Sequence, residues 1–173
     1  KKVGTNAWTQ KRTGTTSIFS PGNRDTYCSK LAEVVRLVGK SKGVVFINTQ
    51  YLEFGCYVLA MLLEESGYAN VLGKDANVLR NPHYAGETKG HYALFNTSKE
   101  KKVSTLLDKV NAENNRNGEV VKVIIGTQRT EQGITFKNVR EVHVLEPWYN
   151  MSKSDQIIGR GLRFKSHFAL PQD

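Results

Sequence analysis

Four short apolar runs, separated by stretches of helical periodicity, constrain this chain more than any other feature. They are Gly43–Thr49 (GVVFINT), His91–Phe95 (HYALF), Glu119–Ile125 (EVVKVII) and Glu141–Leu145 (EVHVL). The first, bounded by Lys/Gly and polar residues, reads as a strand covered on both faces, and the other three read as further strands. Leu31, Val34, Val35 and Val38 fall at i, i+3, i+4 and i+7, which predicts a helix from Asp25 that Gly39 can close. Tyr51 to Ser66 is expected as a helix carrying Phe54, Val58, Met61 and Leu62, ending at Gly67. Val103, Leu106, Leu107 and Val110 predict a third helix, capped by Thr97 or Ser98 and running to about Asn111. A last helix is expected from Ser152 to about Phe164, and residues 68–90 as a loop. Apolar strands alternating with amphipathic helices predict an α/β fold, a doubly wound parallel sheet with helices on both faces. Ligands of such sheets lie outside the carboxyl ends of the strands. Those ends are Asn48-Thr49, Asn96-Thr97, Gly126-Thr127 and Glu146-Pro147.

Composition narrows the class. The chain has 173 residues and a formal charge of +9, from 25 Lys+Arg against 16 Asp+Glu. The ten-residue run Phe54–Leu63 is too short to span a bilayer, which needs about 20 residues. No signal peptide is visible, and Cys28 and Cys56 alone make no disulfide framework, so a reducing, intracellular setting is expected. The four histidines have no metal-ligand spacing, and no metal site is expected on this chain. The charge is uneven: +7 over residues 1–42, but only +2 over the remainder. Residues 1–24 are therefore expected as a basic arm, either a solvated tail or a contact for nucleic acid, and residues 25–173 as the folded domain.

The stretch Ser152–Arg163 carries the most chemistry. On a helix Gln156, Arg160 and Arg163 share one face, at i, i+4 and i+7. Ile158 and Leu162 share another that can dock on the sheet. Gly159 and Gly161 flank Arg160, which suggests that something packs close to the backbone there. Two guanidiniums beside an amide suit a phosphate chain and the charge that develops in phosphoryl transfer. The plainer alternative is a solvated basic helix face. Trp148 and Tyr149 could pack at the strand end or stack on a base, with packing favoured. His143 reads as a core residue, His167 as a surface residue and Cys56 as a small buried hydrophobe.

QIIGRGLRF resembles the sixth motif of superfamily 2 helicases, and VVKVIIGTQRTEQGITF upstream resembles their fifth. KGVVFINTQYLEFGCYVLAMLLEESGY resembles the fourth-motif strand and helix. GVVFINTQYLEFG, EVHVLEPWYN and QIIGRGLRFKSHFALP are most similar to helicases of large nucleocytoplasmic DNA viruses, relatives of the poxvirus early transcription factor and nucleoside triphosphatase I. The resemblance runs from about Tyr27 to Pro171. It implies a RecA-like fold, the second lobe of a helicase, that stops before the last strand such lobes usually have.

By that resemblance Arg160 and Arg163 reach the nucleotide's γ-phosphate as catalytic arginines, and Gln156 helps build the same cleft. Gly133 belongs to the nucleotide site. An acid usual at position 135 is here Thr135, which leaves ribose contact to Thr135 or Glu131 as weak substitutes. Thr127 and Gly126 are implied to meet the nucleic-acid backbone, and Asn48 and Thr49 to assist. No G-x-x-x-x-G-K-[ST] loop and no Asp-Glu pair after a strand is present. ATP and Mg²⁺ are therefore expected to need a first lobe of the same polypeptide, which would supply the Mg²⁺ ligands. The implied function is an ATP-dependent helicase or translocase acting on nucleic acid, DNA ahead of RNA, with this fragment inactive alone. If the chain is viral, the expected place is the host cytoplasm or the virion. The rival reading is a non-catalytic helicase-like module that docks nucleic acid or protein.

Overall fold

Successive side chains of a strand point to opposite faces, and along residues 44–47 both sets are apolar and buried. This is seen in a computed structural model, which describes residues 2–3, 7–8, 17–20, 22–96, 100–127, 134–147 and 151–161. The elements are β1 (Lys2–Val3), β2 (Ala7–Trp8), α1 (Arg24–Lys40), β3 (Val44–Asn48), a π-helical turn (Leu52–Tyr57) leading into α2 (Val58–Glu65), β4 (Tyr68–Asn70), β5 (Gly90–Phe95), α3 (Glu100–Val110), β6 (Val123–Gly126), β7 (Val139–Val144) and α4 (Met151–Gly161). Single 3₁₀ turns lie at Lys74–Ala76 and Glu113–Asn115.

The five strands β4-β5-β6-β3-β7 form one sheet, in that order, and every neighbouring pair is parallel. Val45 and Ile47 of β3 enter a core with Val34, Val35 and Val38 of α1 and Leu59, Leu62 and Leu63 of α2. Val44 and Phe46 enter a second core with Leu106 and Val110 of α3 and Ile157 of α4. The sheet is thus covered on both faces, as the doubly wound α/β expectation requires.

Several expectations are corrected. Glu119–Val121 is not strand, because the Asn115 side chain claims that backbone: its Oδ1 accepts from Val120 N–H at 3.0 Å and Val121 N–H at 2.8 Å. The third predicted strand is therefore only Val123–Gly126. Ile157, not Ile158, is the α4 side chain buried on the sheet, and Ile158 is exposed. A Cβ on Gly159 would meet nothing within 4 Å, so the space beside the helix there is open among the described residues. The proposed cap residues Thr97 and Ser98, together with Trp148, Tyr149 and His167, lie outside the described residues.

Residues 68–90 are not all loop, since β4 extends the sheet beside β5, Tyr68 opposite Gly90. The excursion between β4 and β5 is fixed by two buried acids at the end of α2. Glu64 accepts from Val78 N–H and Leu79 N–H, both at 2.7 Å, and from the Tyr92 hydroxyl. Glu65 accepts from His83 N–H at 3.0 Å and meets His83 Nδ1 at 3.0 Å. Burial pushes the Glu64 carboxyl up to about 7 despite these donors. Part of the 1–24 stretch touches the domain: Trp8 N–H donates to Val78 C=O at 2.7 Å, Arg80 N–H donates to Trp8 C=O at 3.1 Å, and Trp8 and Phe19 pack on the first core. Cys28 interrupts α1 with non-helical φ −144° and ψ 41°. Asp25, before this kink, pairs with Arg36 beyond it.

Candidate nucleotide and nucleic-acid interface

The parallel register assembles the carboxyl edge of the sheet. Asn48 of β3 stands opposite Gly126 of β6 and Val144 of β7, and Gly126 stands opposite Phe95 of β5. Thr49 N–H donates to Gly126 C=O at 3.1 Å, and Leu145 N–H donates to Asn48 C=O at 2.9 Å. The loop after β3 is tied to the one after β7: Gln50 N–H donates to a Glu146 carboxylate oxygen at 2.9 Å, and Gln50 Nε2 donates to Glu146 C=O at 3.0 Å. The Lys30 ammonium donates to Leu145 C=O, which brings α1 to the same edge.

Asn48, Thr49, Gly126 and Thr127 are therefore brought together, as the strand-end reading expects. Their side chains are buried, however: Asn48 is 1% exposed, Thr49 0% and Thr127 6%. At this edge the exposed surface comes from the residues just beyond Thr49. Tyr51 precedes the π-helical turn and Leu52 and Phe54 lie in it, with Phe54 82% and Tyr51 57% exposed. The turn is closed by Cys56 N–H donating to Tyr51 C=O at 3.0 Å, and Tyr51 N–H donates to Thr49 Oγ1 at 3.3 Å. A Cβ on Gly55 would sit 2.0 Å from Thr49 Oγ1, so only glycine allows this approach. Cys56 is fully buried, and burial with the nearby Glu146 charge pushes its thiol up to about 12. It is the buried hydrophobe expected, not a nucleophile.

Helical periodicity alone predicted Tyr51–Ser66 as one α-helix with Phe54 on its apolar face. The wider π turn moves Phe54 off that face, and α2 begins at Val58. The only sequence signal for this was Gly55 close after two aromatic positions.

Along α4, Gln156 is exposed while the adjacent Ile157 is buried, so the Gln156 side faces away from the sheet. The Arg160 backbone lies one helical turn later on α4. Arg163 and Gly133 fall outside the described residues. Thr135 is half-buried, and its carbonyl accepts from Asn111 Nδ2 at 3.1 Å, just past the C-terminal end of α3. It is not part of the Asn48–Gly126 cluster. Among the described residues no group of three or more His, Cys, Asp or Glu side chains could hold a metal ion. No described helix is long and apolar enough to cross a membrane.

A parallel α/β sheet covered on both faces, with polar strand ends and a further helix after its last described strand, has the form of a RecA-like domain. Comparison with known proteins agrees: residues 29–165 match the model of the helicase conserved C-terminal domain, and the chain belongs to that family. A protein of Acanthamoeba polyphaga mimivirus named "Putative ATP-dependent RNA helicase R563" is 31% identical over 147 residues, 82% of this chain and 23% of that protein. The "Termination factor NPH-I homolog" of African swine fever virus (isolate Pig/Kenya/KEN-50/1950) is 28% identical over 175 residues, 86% of this chain and 25% of that protein. The chain thus spans about a quarter of the length of these relatives, and its likeness to helicases of large DNA viruses is borne out. No solved structure matches it at a significant level.

Proposed function

We propose that the chain is the second RecA-like lobe of an intracellular, ATP-dependent nucleic-acid helicase or translocase. The observation that carries this reading is the placement of α4. It comes after β7 and docks through Ile157, leaving the Gln156 side open to a partner. ATP with Mg²⁺ would be held between this face and a first lobe of the same polypeptide, which contributes the Mg²⁺ ligands. The donor set suits that role: an amide at Gln156 and guanidiniums at Arg160 and Arg163 grip phosphate oxygens, and the open space at Gly159 lets a phosphate approach the helix. The arginines stabilise charge that builds on the transferred phosphoryl group, and they reach it only on lobe closure. Gly133 belongs to the same cleft. Thr135, anchored to Asn111, contributes weakly to the nucleotide site.

Gly126, Thr127, Asn48 and Thr49 form the floor on which the nucleic-acid backbone rests, with DNA as the proposed strand. Because Asn48, Thr49 and Thr127 are buried, opening of the loops above them is part of the stepping cycle.

The test is Arg163→Ala in the full-length protein. ATP turnover should fall by about 10³-fold or more, while affinity for a DNA strand stays within about twofold. Unchanged turnover would overturn the arginine's role, and a full-length parent that does not hydrolyse ATP would favour a docking module without catalysis. Nucleic-acid-stimulated hydrolysis by residues 1–173 alone would overturn the dependence on a first lobe.

A further inference from the structure

Large apolar side chains left in water call for a reason when they cluster. Among the described residues, the exposed large hydrophobics are Ile18, Tyr27, Tyr51, Leu52, Phe54 and Ile158, and three of these six fall within four consecutive positions. Those three sit at the start of the π-helical turn, a rare element that concentrates at functional sites. Their display is fixed by the backbone. The Cys56-to-Tyr51 hydrogen bond closes the turn, and Gly55 is seated against Thr49 with no room for a Cβ. From the other side, the Tyr57 hydroxyl accepts from Asn96 Nδ2 at 3.3 Å, linking the turn to the end of β5. The backbone of the turn that carries the two exposed aromatic residues is therefore held beside Thr49, a support that needs little ordering before it binds.

The chemistry of the turn favours bases over phosphates. Residues 51–57 contain no Lys or Arg, and the exposed Glu53 lies between the two aromatic positions. Such a segment brings no cation of its own to a phosphodiester but offers faces on which bases stack irrespective of sequence.

We propose that Tyr51 and Phe54 form a stacking ledge for the unpaired bases of a single nucleic-acid strand. This inference rests on the nucleic-acid reading above and adds the group that is recognised: the base face, beside a floor that meets the backbone. The ledge would hold the strand between steps while the buried strand-end groups are exposed and covered.

The experiment measures binding of fluorescein-labelled oligothymidylate and oligouridylate to the full-length protein. Phe54→Ala and Tyr51→Ala should each raise Kd by roughly 5- to 150-fold, the loss of one stacked base. The slope of log Kd against log salt should not change, because no phosphate contact is lost. Phe54→Leu, which keeps apolar area without a π face, should bind as weakly as Phe54→Ala. Phe54→Trp should bind at least as tightly as the parent, with its indole emission quenched when the strand is added. Parent-like binding by Phe54→Leu, or unquenched emission in Phe54→Trp while the parent binds, would overturn the ledge and leave the wider reading standing. So would a Phe54→Ala variant that changes subunit association or ATP turnover but not Kd, since the ring would then pack on protein. A parent protein that binds neither oligonucleotide would overturn the wider reading itself.

Discussion

The two ends of α2 invert the usual rule in opposite ways. At its C-terminal end, carboxylates are inside. Glu64 is buried beside the first core, which includes Leu63, Leu79 and Tyr92, and its oxygens are met by two backbone N–H groups and a hydroxyl. At its N-terminal end, aromatic rings are outside, with Tyr51 and Phe54 at the π turn. A buried polar group is tolerated when it is satisfied, and here it locks a chain excursion to the sheet. An exposed apolar group has no such internal justification. The first end therefore concerns architecture and the second concerns a partner.

This contrast can be broken at the architectural end first. Glu64→Leu leaves the Val78 and Leu79 N–H groups and the Tyr92 hydroxyl without their acceptor. It should cost roughly 3 to 5 kcal/mol, lowering Tm by about 6 to 20 °C in a domain of this size. A calorimetric Tm within about 2 °C of the parent would show that Glu64 does not hold residues 77–80.

The same carboxyl has a pH signature. Its folded pKa, about 7, lies above its ordinary value of 4.5, chiefly through burial and also through the charge of Glu65. Between about pH 4.5 and 7 the native state therefore holds a proton that the unfolded chain has released. The stabilisation is complete below about pH 4.5, and it is lost as pH rises through about 7, a loss of roughly 3 kcal/mol at most. Urea midpoints measured from about pH 5 to 8 should fall for the parent and flatten for Glu64→Gln. A parent curve that rises across this range would refute the assignment.

Gly55→Ala sharpens the comparison at the other end. Its methyl group collides with the Thr49 hydroxyl, and the resulting shift should cost about 1 to 3 kcal/mol. It should also weaken single-strand binding although residue 55 bears no ring. A fully stable Gly55→Ala protein would mean that the turn is not held as described. The smallest effect is expected for Arg36→Ala. Arg36 pairs with Asp25 and Glu33 where all three are substantially exposed, so stability should change by about 1 kcal/mol or less. A larger loss in chemical denaturation would show that the Arg36–Asp25 contact across the Cys28 kink is structural.

The sheet was legible because its signals are local. Val44–Ile47 and Val123–Ile125 are apolar on both faces, and the α1 and α3 stripes keep helical spacing over several turns. β4 escaped notice because three residues, Tyr-Ala-Asn, carry no period, and pairing with β5 alone makes them a strand. The β6 boundary failed for a different reason. Val120 and Val121 have strand-like side chains, but the Asn115 amide captures their backbone. Strand-end topology correctly brought Asn48, Thr49, Gly126 and Thr127 together, yet burial depends on what the neighbouring loops cover, and periodicity does not encode that. The π turn was hidden because apolar spacing does not encode hydrogen-bond register, and the close seat of Gly55 against a threonine six positions earlier is visible only in the folded chain.

The strand order has a consequence for synthesis. β3 lies between β6 and β7, and both partners come much later in the chain. Roughly 75 residues separate the end of β3 from the start of β6, which at ~5–20 residues per second is a delay of roughly 4 to 15 s. For that interval the ribosome holds out a strand, Val-Val-Phe-Ile-Asn, with two apolar faces and two unpaired edges. Parallel pairing over such a span is also slow to close. The segment that becomes the best-protected part of the sheet is thus one of the nascent chain's aggregation-prone segments while it waits.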